Sequence, residues 1–170
     1  MTEAEQVELF IKAARRLMGM RFMSGAAGQG GMIDCGHVPV VAAKLIGYLP
    51  SDFKLPKYPP SVDPSLWDQV CPELLDEVPG PTPETVREGD VVILYEHLEP
   101  GSCDTAYPRH CGILVSFTPK PSGDDSSFGG FHWLGINFAM HANGFVTEVP
   151  FHKKLWERIY KVYRLRPPIE

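Results

Sequence analysis

Nine prolines stand between residues 50 and 83: Pro50, Pro56, Pro59, Pro60, Pro64, Pro72, Pro79, Pro81 and Pro83. Proline lacks the amide N–H that a helix interior or a central strand needs, and it disfavours helical geometry in the residue before it. This stretch can therefore hold no long regular element, and it divides the chain in two. Upstream, apolar residues recur at helical spacing. Downstream they gather in short runs rich in Val, Ile, Phe and Tyr, the pattern of strands. Helices first and strands after predict an α+β chain with N-terminal helices packed on a central antiparallel β-sheet. Within the divider only Ser65 to Val78 is free enough for a short helix. Residues 48 to 88 read as a surface insertion rather than a linker, because Tyr48, Phe53, Tyr58, Trp67 and Leu74 give it something to bury.

The helical half opens on Thr2-Glu-Ala-Glu5, a capping box, followed by Val7, Phe10, Ile11, Ala14, Leu17 and Met18 at spacings of three and four up to Gly19. Gly25, Gly28, Gly30 and Gly31 exclude regular structure before Asp34. From Cys35 to Gly47 a mostly apolar run predicts a second, buried helix ending at a glycine. Strands are expected over Asp90 to Tyr95, Cys111 to Phe117, Phe131 to His141, Phe145 to Val149 and Ile159 to Leu165, with Asn143-Gly144 as a hairpin turn.

At 170 residues and 44% apolar, the chain reads as a single domain, 1 to 170. Such a length buries about 70% of its extended surface without help from disulfides or metal. Charge is unevenly spread: Ser51 to Asp104 carries 12 acidic residues against 3 basic, and His152 to Glu170 carries 6 basic against 2 acidic. Neither run interleaves Arg or Lys with aromatics as a nucleic-acid groove does, so nucleic acid is not expected as a ligand. The N-terminus shows no basic and then apolar leader, and no 18-residue apolar run occurs, so the expectation is a cytoplasmic product with no membrane span. Four cysteines, Cys35, Cys71, Cys103 and Cys111, form no C-x-x-C pair and are expected as reduced thiols.

Three residue groups carry chemistry. Asp34-Cys35-Gly36 lies where a glycine-rich loop enters a helix, so backbone N–H groups and the helix dipole would favour a thiolate and could hold an oxyanion. Arg109-His110-Cys111-Gly112 puts a histidine at the entrance of an apolar strand, within reach of a helix start in a layered fold. His141 ends the next strand, where it could orient the other imidazole. His37 is a rival base, but two positions along a helix it should face away from Cys35. Pro39 cannot donate to the Cys35 carbonyl, so the first turn of this helix should be open or kinked. Cys103, His110 and Cys111 with His97 invite a zinc reading, but C-x7-C is not a zinc-ribbon spacing, and strand neighbours 110 and 111 should face opposite sides. Asp124 and Asp125 lack the spacing of a calcium loop and read as a solvated turn. No metal or organic cofactor is implied.

Taken in order, the glycine-rich loop with Asp-Cys at a helix start, the G-D-V-V-I strand, the H-x-G-I-L-V strand and the His-Ala before a hairpin resemble the NlpC family of papain-like cell-wall cysteine peptidases. The matching segments run from Arg16 to Gly47 and from Glu88 to Phe151. The resemblance implies a papain-like NlpC-type fold with Cys35 as nucleophile, His110 as base and His141 as the orienting residue. It implies hydrolysis of amide bonds in peptidoglycan stem peptides. Many members carry a tyrosine before the nucleophile, thought to assist the oxyanion; the nearest equivalent here is Phe22, which has no hydroxyl. The family's usual D-C-S-G is replaced by Asp34-Cys35-Gly36-His37.

Leu49-Pro50, Lys57-Tyr58-Pro59-Pro60 and the closing Trp156 to Arg164 look like the phage-encoded branch, associated with tail-tip assembly and local wall cleavage during genome entry. That likeness implies incorporation in a virion tail with other tail-tip proteins as partners. The competing expectation is a tail-tip subunit that keeps the shape with little or no activity, its acidic loop and basic C-terminal strand serving as contact surfaces.

Overall fold

The computed structural model describes residues 1–56, 75–96, 107–117, 130–137 and 144–167. His141, Asn143, Cys71, Cys103, His97 and the Asp124-Asp125 stretch lie outside them, as does 65–74 of the expected helix.

The first helix, α1 (Glu3–Arg15), starts on the expected capping box: the Thr2 hydroxyl accepts from the Glu5 N–H and the Glu5 carboxylate accepts from the Thr2 N–H. It ends at Arg15 rather than running to Gly19. Three successive amides, those of Arg16, Leu17 and Met18, bond three residues back instead of four, so the chain tightens and turns before Gly19 (φ 84°). Met18 is consequently exposed, while Leu17 stays in the core. The second helix, α2 (His37–Leu45), is closed by Gly47 at φ 72°, beyond which the Tyr48 and Leu49 amides both return to the Ala43 carbonyl.

The eight strands are β1 (Arg21–Phe22), β2 (Met32–Ile33), β3 (Leu75–Glu77), β4 (Val91–Glu96), β5 (Tyr107–Phe117), β6 (Phe131–Asn137), β7 (Phe145–Pro150) and β8 (Ile159–Leu165). They form one sheet in the order β2-β1-β7-β6-β5-β4-β8-β3, antiparallel throughout except for the β1–β2 pair. A short helix, α3 (Lys153–Trp156), precedes β8.

Two expectations are corrected here. The glycine-dense segment is not free of regular structure: Met32 and Ile33 pair with Arg21 and Phe22, and the glycines bend the chain back through a 3₁₀ turn at Gln29–Gly31 so that this pairing can form. Leu75–Glu77, expected as the end of a helix, is an edge strand paired with β8, with Leu75 opposite Leu165 and Glu77 opposite Tyr163. Charge accounts for that edge: Asp76 bonds Arg166 at 3.0 Å and Glu77 bonds Lys161 at 3.2 Å. The acidic middle and the basic tail thus meet each other within the chain.

Alternation along the central strands fills both faces of the sheet. Val91, Ile93, Cys111, Ile113 and Val115 pack with Phe10, Ile11 and Ala14 of α1 and Val38 and Ala42 of α2. Val92, Leu94, Leu114 and Trp133 pack on the other side with Phe151 and Leu155. With α1 and α2 on one face of a mixed sheet and the short α3 on the other, this is an α+β fold. Among the described residues no helix is long and apolar enough to cross a membrane.

Candidate active site

Asp34 organises the approach to α2. Its buried carboxylate accepts the Gly25 N–H at 2.9 Å through Oδ2, and at Oδ1 it accepts the His37 N–H at 2.8 Å and meets His37 Nδ1 at 2.7 Å. The bond to the amide three residues on holds the turn that leads into α2, whose own N-cap is Gly36 and has no side-chain bond, and together with the Gly25 bond it clamps the glycine loop to that turn. His37 is thereby engaged with Asp34. Cys35 follows Asp34 directly, half-buried against the helix-side core, and Gly36 continues the turn in helical geometry.

The first turn is open where Pro39 requires it to be. With no N–H four residues on, the Cys35 carbonyl accepts the Val38 N–H at 3.3 Å, and it also accepts the thiol of Cys111 from β5 at 2.8 Å. Cys111 is fully buried.

His110 comes from the same strand. Between Leu94, opposite His110, and Tyr95, opposite Pro108, the register shifts, leaving Arg109 as an extra residue on β5. A bulge of this kind re-aims the side chain beside it. The imidazole stands edge-to-face on the Trp133 ring, centroids 5.2 Å apart. Trp133 has room because Gly112 and Gly135, cross-strand partners, carry no Cβ: a methyl at either would overlap the indole. A methyl at Gly112 would also come within 2.7 Å of the Leu134 carbonyl oxygen. Gly112→Ala is therefore expected to lower stability by about 1–3 kcal/mol through overpacking, read as a shift of the urea unfolding midpoint. An unchanged midpoint would mean the indole is not confined.

The expectation that 110 and 111 serve opposite faces holds for their packing, since Cys111 lies in the helix-side core and His110 on Trp133. Yet both reach Cys35. Cys111 and His110 both stand against the Cys35 side chain, and the Cys35 pKa lies well below the ordinary thiol value. Cys111 is the largest cause, and His110, through hydrogen bonding and its charge, adds to it. Burial and the nearby Asp34 carboxylate oppose them. Alkylation by iodoacetamide is therefore expected to proceed at Cys35 well below the ordinary thiol pKa of about 8.5. Cys111→Ala and His110→Ala should each move its midpoint upward, as followed by peptide mass spectrometry. An ordinary midpoint at Cys35 would remove the thiolate from the site.

Of the sequence-derived set, Cys35 and His110 are brought together, and Asp34, Gly36 and His37 form the turn that presents Cys35. Phe22 lies on β1, partly buried against the same helix-side core. Among the described residues no group of three or more His, Cys, Asp or Glu side chains is arranged to hold a metal. Two contributors escaped the sequence reading. Cys111 drew attention only as a metal ligand, and Trp133 only as part of a strand; the signal for the second was two glycines in strand interiors, which mark a close approach of something bulky.

No family model matches this chain, and no curated protein matches it. Among solved structures it is similar to a Staphylococcus aureus subsp. aureus Mu50 protein described as similar to lipoprotein, NLP/P60 family, at 14% identity and a TM-score of 0.55. The likeness covers 95% of this chain and 41% of that one, so this chain spans well under half the length of its structural neighbour. At that identity the likeness is one of fold.

Proposed function

We propose that this chain is a papain-like cysteine peptidase of the NlpC type that hydrolyses amide bonds in peptidoglycan stem peptides. The observation that carries the reading is a single one: a Cys35 thiol just before a helix start, its pKa lowered by Cys111 first and then by a strand histidine, His110, beside it. The fold shared with an NLP/P60-family protein supports it.

The Cys35 thiolate attacks the amide carbonyl carbon, and the electron pair moves to oxygen. The backbone N–H of Cys35 stabilises the oxyanion, since the His37 and Val38 amides are already engaged and Pro39 has none, with Phe22 offering no hydroxyl to help. His110 delivers a proton to the departing amine as the C–N bond breaks, then takes one from the water that splits the thioester. His141 holds the imidazole of His110. No cofactor takes part.

The finer reading is a phage-encoded protein made in the bacterial cytoplasm and carried in a virion tail beside other tail-tip proteins. It rests on the sequence likeness of Leu49-Pro50, Lys57 to Pro60 and Trp156 to Arg164. A second reading, a tail-tip subunit with little activity, is favoured by Phe22 and Pro39. The pairing of Asp76 and Glu77 with Arg166 and Lys161 counts against it, because it uses charges that subunit contacts would need.

The test is incubation of the purified protein with purified peptidoglycan and mass spectrometry of what is released. Stem-peptide fragments with newly freed amino groups are expected, and none after alkylation of Cys35. Release by neither sample would favour the structural reading.

A further inference from the structure

A second thiol beside the nucleophile is not needed for acyl transfer. Cys111 is fully buried at the centre of the sheet, its sulfur 2.8 Å from the carbonyl oxygen of Cys35 and against the Cys35 side chain. Cys35 is the half-buried member of the pair, so a small solute from solvent meets it first. One accessible thiol and one sheltered thiol in contact, drawn from residues 76 apart in sequence, is the arrangement of an attacking and a resolving cysteine.

We propose that Cys35 and Cys111 form a peroxide-responsive dithiol, in which hydrogen peroxide oxidises Cys35 and Cys111 resolves it to an intrachain disulfide. In the first step the Cys35 thiolate attacks one peroxide oxygen, the O–O bond breaks, and Cys35 becomes a sulfenic acid with release of hydroxide. In the second the Cys111 sulfur attacks the Cys35 sulfur. The S–O bond breaks, the oxygen leaves as water with the Cys111 proton, and the S–S bond forms. Two electrons pass from the two sulfurs to the peroxide, and a dithiol reductant reverses the change by thiol–disulfide exchange. The oxidised chain has no Cys35 thiolate, so the same pair that activates the sulfur also takes it out of use reversibly. Without Cys111 no other described cysteine is left to resolve the sulfenic acid, which proceeds to the irreversible acids.

The proposal does not depend on hydrolysis, and its test reads thiol chemistry alone. The native full-length protein is treated with hydrogen peroxide at low protein concentration, quenched by alkylation and mapped by mass spectrometry. The expected product has lost about 2 Da, carries a Cys35–Cys111 crosslinked peptide and returns to the starting mass with dithiothreitol. In Cys111→Ser and Cys111→Ala, Cys35 should instead gain about 32 or 48 Da, and dithiothreitol should not reverse it. The wild-type map stands alone if either variant folds poorly. The proposal is overturned if wild-type Cys35 gains two or three oxygens as the variants do, if it pairs with Cys71, Cys103 or another chain, or if it stays reduced while other thiols oxidise.

Discussion

Cys35→Ala is expected to reduce stem-peptide release on the order of 10³-fold or more while leaving the fold intact. The thiolate supplies the electron pair that forms the covalent intermediate, and a methyl group has none to give. Cys35→Ser should fare little better, because an alcohol at this position lacks the low pKa that Cys111 and His110 confer on the sulfur. His110→Ala should cost a comparable factor, and the double variant little more than either single one, since nucleophile and base act as a unit. Unfolding midpoints separate chemistry from stability: Cys35 is half-buried at the edge of the core, so its truncation should hardly move them. Appreciable release by Cys35→Ala would place the nucleophile elsewhere.

Asp90→Ala is expected to have the largest effect on stability, about 3 kcal/mol, read from the urea midpoint. Asp90 is fully buried, and its carboxylate accepts two bonds from Arg164, each 2.8 Å, and one from the Arg87 N–H at 2.9 Å. Its removal leaves a guanidinium, 23% exposed, with only the Thr85 carbonyl at 3.0 Å in place of a charged partner, together with an unpaired backbone donor. Losing one partner of a buried pair typically costs about 3–5 kcal/mol, and the partial exposure of Arg164 puts the value at the lower end. A loss that large is a substantial fraction of a domain's stability. Asp90→Asn should fall between, keeping an acceptor but no charge. A loss under about 1 kcal/mol for Asp90→Ala would mean Arg164 finds other partners. The Asp of the G-D-V-V-I strand is thus a structural residue, fastening β8 to the loop before β4.

What the sequence shows of this fold follows the length of the signal. Helix α1 was legible because a capping box precedes a sustained apolar stripe, and β8 because Ile, Tyr, Val and Leu fill five of its seven positions. Strands β1 and β2 are two residues each, below any period, and exist only because glycines fold one onto the other. β3 was hidden for another reason. Leu-Asp-Glu has no strand character of its own and is held at the edge by Arg166 and Lys161, far away in sequence. The site divides in the same manner. Cys35 and His110 were legible from their places at a helix start and a strand entrance, and the opened turn at Pro39 from a missing N–H. That Cys111 would take up the carbonyl this leaves depends on how β5 lies against α2, and a histidine's perch on Trp133 depends on a cross-strand glycine pair.

The clasp made by Asp34 has a consequence for how the site comes into being. Its bonds to Gly25 and His37 span nine residues or fewer, so this cradle of Cys35 closes over short loops at small entropic cost. His110 and Cys111 arrive only when β5 has joined the sheet, across 76 residues in the case of the Cys111 bond. Lowering of the thiol pKa therefore waits on long-range pairing: a nascent or partly folded chain presents Cys35 in its turn but without the neighbours that favour its thiolate.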